Sequence, residues 1–144
     1  MNKVIDISQW QGRISDAQWA DIKKKVNGVI IRLGYRGYGT GELRLDSEFQ
    51  NNLAACKKYS IPYGVYFFSQ AINAVEGQEE VSLIAKYIDV KSCELGVRCD
   101  SETSNNGMGR ADVIGSAART TAVKAFVNAV NARGGHGGLY CGFY

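Results

Sequence analysis

With 144 residues, of which 45% are hydrophobic and 22% charged, the chain has the size and composition of one globular domain with a substantial core. A net charge of +3, from 17 basic and 14 acidic residues, is too small and too dispersed to indicate a nucleic-acid partner. No run approaches the roughly eighteen apolar residues of a membrane span, so no membrane partner is read, and Met1-Asn-Lys3 passes into a short strand bearing Asp6 where a signal peptide would have its apolar core. The expectation is synthesis in the cytoplasm without a signal peptide.

Lys3 to Ser8 reads as a strand whose apolar residues are interrupted by Asp6. An acid in an apolar strand costs several kcal/mol of desolvation unless it is paired or wet, so Asp6 either caps a local turn or faces a site. Ser15, with Gln18 three residues on, is a capping-box signature for a helix to about Lys25 that buries Trp19, Ile22 and Val26. Gly28 to Tyr35 is nearly continuous in apolar residues, as expected of a parallel strand covered on both faces. The glycine-rich stretch from Arg36 to Gly41 lacks phosphate-cradling spacing and reads as a mobile loop. Asp46 is placed as the cap of a helix to about Tyr59, with Phe49, Leu53 and Cys56 inward.

Pro62 to Ser69 predicts a third strand, on which Tyr66 and Phe68 share a face, either as core or as a sugar platform. A helix follows from about Val75 to Ile88. Leu95 to Glu102 predicts a fourth strand, Thr120 to Arg133 a helix, and Gly138 to Tyr144 a fifth strand. Side chains alternate along a strand, so Asp100 and Glu102 are expected on one side with Cα atoms about 6 to 7 Å apart, where the strand enters a polar loop. Carboxylates at the carboxyl end of a strand are where barrel enzymes place their chemistry. The bland alternative is a strand end whose acids are satisfied by loop amides.

Cys56, Cys93, Cys99 and Cys141 form no CxxC pair and fit no metal spacing, so they read as buried or half-buried free thiols, and neither metal nor cofactor is expected. His136, the single histidine, lies in Gly134-Gly-His-Gly-Gly138 and reads as a turn residue. The order βαβαβαβαβ predicts parallel strands with right-handed crossovers.

Five stretches in order resemble the family 25 glycoside hydrolases, the N-acetylmuramidase lysozymes that include many phage endolysins: Ile5-Asp-Ile-Ser-Gln-Trp-Gln-Gly12, Ile30-Ile-Arg-Leu-Gly34, Asp46 with Phe49-Gln-Asn-Asn52, Ile61-Pro-Tyr-Gly-Val-Tyr-Phe-Phe68 and Asp100-Ser-Glu102. The resemblance implies an irregular TIM-like β/α barrel, here with about five βα units and the final strands missing, as a single catalytic-type domain without a cell-wall-binding module. It implies cleavage of the β-1,4 bond between N-acetylmuramic acid and N-acetylglucosamine, with the peptidoglycan glycan strand as partner and action on the wall after release. By position it implies Glu102 as general acid, Asp6 and Asp100 as its carboxylate partners, and Tyr35, Tyr66, Phe68 and Ser8 as substrate-binding residues. Arg98 departs from the pattern. Sharing a strand face with Asp100, it is expected to keep that carboxylate ionised while Glu102 is raised towards pH 6. With a 2-acetamido sugar, the acetamide carbonyl can itself attack the anomeric carbon, with Asp100 orienting it. Alternatives are an inactive glycan-binding fold, a fragment of a longer lysozyme, or a homodimer that completes the sheet by strand exchange.

Overall fold

The computed structural model describes residues 1–142. Among them it forms a mixed α/β fold of six strands and four α-helices. The strands are β1 (Val4–Ile7), β2 (Gly28–Arg36), β3 (Leu43–Leu45), β4 (Tyr63–Phe68), β5 (Val97–Asp100) and β6 (Gly137–Tyr140). The helices are α1 (Asp16–Lys25), α2 (Phe49–Lys58), α3 (Ala74–Tyr87) and α4 (Ser116–Ala132). Five strands lie in the order β1-β2-β4-β5-β6, all parallel, and β3 pairs antiparallel with β2.

Sequential parallel pairing with crossovers of one hand stacks every helix on the same side of a sheet. The burial pattern agrees. Ile7, Val29, Ile31, Leu33, Val65, Phe67, Val97 and Cys99 point to one face and form a single buried cluster with Trp19 of α1, Phe49 and Leu53 of α2, Val81 and Ile84 of α3, and Phe126 and Val130 of α4. The opposite face carries Asp6, Arg32, Tyr66, Arg98 and Asp100 at matching register positions, and no helix among the described residues covers it. The two faces thus divide the labour: one holds the fold together, the other presents polar groups.

Local signals set several elements. The capping box is formed as the sequence indicates, with the Ser15 hydroxyl accepting from the Gln18 amide and the Gln18 side chain accepting from the Ser15 amide. Helices α3 and α4 pack tightly because Gly77 has no Cβ, which would overlap the Ala122 carbonyl.

Other elements differ from expectation. The stretch from Arg36 to Gly41 is the turn of a β-hairpin, with the Gly37 amide donating to the Glu42 carbonyl, and β3 behind it is too short to have shown a strand period. Asp46 does not cap α2, whose N-cap is Glu48; buried, it accepts from the Glu48 and Gln9 amides and pairs with Arg32 at 2.8 Å. Strand β5 stops at Asp100, two residues short of Glu102. Helix α4 begins at Ser116, a turn earlier than expected, and β6 ends at Tyr140. Residues 143 and 144 of the expected fifth strand lie outside the described residues. Within those residues β1 and β6 are the sheet edges and no barrel closes. Three thiols are buried as expected, whereas Cys141 is exposed because the sheet edge leaves it uncovered.

Candidate active site

The site is built on the face without helices. Strand β2 carries an irregularity between Arg32 and Gly34, so Arg32 pairs in register with Tyr66 while Tyr35, three residues on, pairs with Phe68. An extra residue flips the side-chain alternation, which puts Arg32 and Tyr35 on the same face. The Arg32 guanidinium carbon stands 5.1 Å from the centre of the Tyr35 ring, and its Nε donates to Asp46.

Asp6, Tyr66, Arg98, Asp100, Glu102 and Tyr140 line one cavity of about 240 Å³ at the carboxyl ends of the strands. A larger cleft of about 750 Å³ shares Tyr66, Asp100 and Glu102 with it and continues past Trp10, Tyr35, Tyr38 and Phe68. The two are one groove, with carboxylates at one end and an aromatic wall along the other. Asp6 reaches it from the edge strand β1 and is exposed, so the desolvation cost that its position in an apolar strand suggested does not arise. Ser8 does not line the groove. Its hydroxyl accepts from the Trp10 amide and caps the turn Gln9–Gln11, which holds the Trp10 ring out at 78% exposure.

Electrostatics distinguish the acids. Burial, then the neighbouring charge and hydrogen bond of Glu102, then Asp6, push the Asp100 carboxyl up to about 7, against a smaller opposing pull from Arg32. Asp100 Oδ1 is buried with no hydrogen-bond partner among the described residues. Arg98, expected to hold Asp100 ionised, instead donates to the His136 carbonyl at 3.2 Å, and the buried Asp100 carries a raised value. Tyr66 is pushed up to about 12, chiefly by burial, so its phenol stays a hydrogen-bond donor at any physiological pH.

Sequence reasoning missed Arg32, Trp10, Tyr38 and Tyr140. Arg32 had a signal, as the one charge inside the apolar run from Gly28 to Tyr35. Tyr38 and Tyr140 had none, because hairpin geometry and strand pairing bring them to the groove. His136 is an exposed turn residue, in keeping with its glycine neighbours. Among the described residues no group of three or more His, Cys, Asp or Glu side chains is placed to hold a metal ion.

The parallel sheet thus carries its helices on one face and, at the carboxyl ends of its strands, three carboxylates and an aromatic wall on the other. The glycosyl hydrolases family 25 model matches residues 5–143, and the chain belongs to that family. Among solved structures it is similar to the modular autolysin LytC from Streptococcus pneumoniae, at 28% identity and a TM-score of 0.74 over 97% of this chain and 32% of that one. The same autolysin in complex with a synthetic peptidoglycan ligand aligns at 26% identity and a TM-score of 0.77, with the same coverage. The catalytic domain of endolysin ply40 from bacteriophage P40 of Listeria monocytogenes, at 21% identity and a TM-score of 0.70 over 96% of this chain and 62% of that one, attests to the fold alone. The chain therefore spans from about a third to three-fifths of the length of these proteins. No curated protein sequence matches it.

Proposed function

We propose that the chain hydrolyses the β-1,4 bond between N-acetylmuramic acid and N-acetylglucosamine in peptidoglycan. The observation that carries this reading is the convergence of Asp6, Asp100 and Glu102 on one cavity, with a carboxyl group that holds its proton near neutral pH. Glycoside cleavage needs an acid for the leaving oxygen and a group that stabilises an oxocarbenium-like transition state.

Asp100 holds a proton near neutral pH, and that proton is relayed through Glu102, less buried and open to both parts of the groove, to the glycosidic oxygen as the bond from C1 breaks. Once it has given up its proton through Glu102, Asp100 orients the 2-acetamido group, its unpartnered Oδ1 accepting the N–H while the acetamide carbonyl oxygen attacks C1. Water then adds its oxygen to C1, the C1–acetamide bond breaks, and the proton released returns to the acid pair. The negative charge of Asp6 offsets positive charge at the sugar ring. Tyr35, Tyr66 and Phe68, with Trp10 and Tyr38, stack against successive sugar rings.

The finer fold reading is an irregular β/α barrel of which these residues form a part. It is supported by the one-sided helices and the polar opposite face. A homodimer made by strand exchange is favoured by Val4 at one sheet edge and Leu139 and Tyr140 at the other, which are 44%, 50% and 58% exposed. Sedimentation of a concentration series tests it, a monomer throughout being the contrary result.

The function is tested by release of reducing sugar from purified peptidoglycan, with Glu102→Gln alongside. Release by the native chain that falls at least about a hundredfold in the variant supports the reading. A folded chain that releases nothing overturns it.

A further inference from the structure

Strand alternation cannot place Glu102, because β5 ends at Asp100 and the last ladder-type hydrogen bond runs from the Ser101 amide to the Tyr140 carbonyl. Beyond that point the contacts to the Glu102 backbone among the described residues come from side chains. The Arg119 guanidinium, one turn into α4, makes three contacts with this segment. Its Nη2 donates to the Glu102 carbonyl at 2.6 Å, its Nε to the Ser101 hydroxyl at 2.9 Å, and its Nη1 to Asp112 at 2.7 Å. Asp112 in turn accepts from the Ser104 and Gly109 amides, which folds the following loop back on itself. Gln70 adds a longer contact to the same Glu102 carbonyl, at 3.4 Å, while its own side-chain oxygen accepts from the Ala111 amide.

We propose that Arg119 is a positioning residue that holds the Glu102 carboxylate against Asp100, so that helix α4 sets the geometry of the acid pair. This deepens the reading of Glu102 as proton donor and rests on it. A guanidinium presents a fixed planar fork that a lysine ammonium cannot reproduce. Three donors aimed at two successive residues and their loop anchor fix the direction in which the Glu102 side chain leaves the backbone. The site therefore depends on a residue that touches neither substrate nor the reacting atoms.

The test compares the native chain with Arg119→Lys and Arg119→Ala in two readouts. The first, independent of turnover, is titration of the Asp100 carboxyl by carbon NMR. If Arg119 holds Glu102 in place, its loss lets Glu102 move away, and Asp100 titrates lower by about one pH unit, because a like charge nearby is what raises it. If Arg119 acted only through its own positive charge, its loss would raise the Asp100 titration instead. The sign separates the two roles.

The second readout is peptidoglycan turnover. Displacing a catalytic group by about 1 Å costs about a hundredfold, and the loss is expected in kcat while KM stays within a few-fold. Free guanidinium ion is expected to restore part of the turnover of Arg119→Ala but none of that of Glu102→Gln. Folded variants with an unchanged Asp100 titration and native kcat overturn the proposal. So does loss of folding in both variants, which makes Arg119 a structural residue. If the native chain is inert while the Asp100 titration still falls in the variants, the muramidase reading fails and the positioning role stands.

Discussion

Replacing Asp100 with asparagine separates the cost of burying this acid from its chemistry. The carboxyl is raised from its ordinary 3.8 to about 7 by burial, by Glu102 and by Asp6. An acid that holds its proton more tightly in the folded state stabilises the fold fully below its unfolded pKa, and that stabilisation is lost as pH rises through the folded pKa. The window here is from about pH 4 to about pH 7. At about 1.36 kcal/mol per pH unit, a rise of about three units corresponds to on the order of 4 kcal/mol by pH 8. Glu80 is raised to about 7 mainly by burial and acts in the same direction, so the informative quantity is the difference between the native chain and Asp100→Asn.

That difference is measured by urea unfolding between pH 4.5 and 8.5, with tryptophan fluorescence as the probe, since Trp19 is buried. Asparagine has no charge to bury. At pH 8 the variant is expected to be more stable than the native chain by about 2 to 4 kcal/mol. Near pH 4.5 the order narrows or reverses, because the protonated native side chain keeps its hydrogen bond to Glu102. Two parallel curves, or a variant that loses ground as pH rises, would refute the assignment of the proton to Asp100.

Breaking the buried Arg32–Asp46 pair with Asp46→Ala leaves a guanidinium uncompensated and two amides unpaired, and is expected to cost about 3 to 5 kcal/mol, read as a fall in urea midpoint. Trp10→Ala removes an exposed ring from the groove wall, so it is expected to raise KM for glycan several-fold while stability stays within about 0.5 kcal/mol; an unchanged KM would remove Trp10 from the binding surface. A thiol reagent is expected to modify Cys141 alone in the native protein and the other three cysteines only after unfolding, because burial raises the Cys56 and Cys93 thiols to about 12 and pushes Cys99 up as well.

Where a signal was local, the sequence carried it. The Ser15 and Gln18 pair marks the start of α1 because both partners lie within four residues, and the apolar runs of β2 and β4 mark strands because each is buried among neighbours. Asp6 and Asp100 could be named from their strand positions and Glu102 from its spacing to Asp100, and all three line one cavity.

What escaped depends on long-range or irregular geometry. Leu43–Leu45 forms a strand only because β2 pairs with it. The parity of Tyr35 is set by an irregularity in β2 that no residue type announces. Asp46 looks like a helix cap from its neighbours, and becomes half of an ion pair only when β2 brings Arg32 to it. The burial of Asp100, the largest cause of its raised value, follows from its place at the end of β5. Glu102 itself is placed by Arg119, seventeen residues further along the chain.

The central claim is the identity of the bond that is cut, and chemical reduction of the products tests it most directly. Peptidoglycan digested by the chain, reduced with borohydride and then hydrolysed in acid, is expected to yield muramitol, the mark of a new reducing end on N-acetylmuramic acid, and Glu102→Gln is expected to yield none. Glucosaminitol in its place, or no sugar alcohol above an undigested control, would contradict the account.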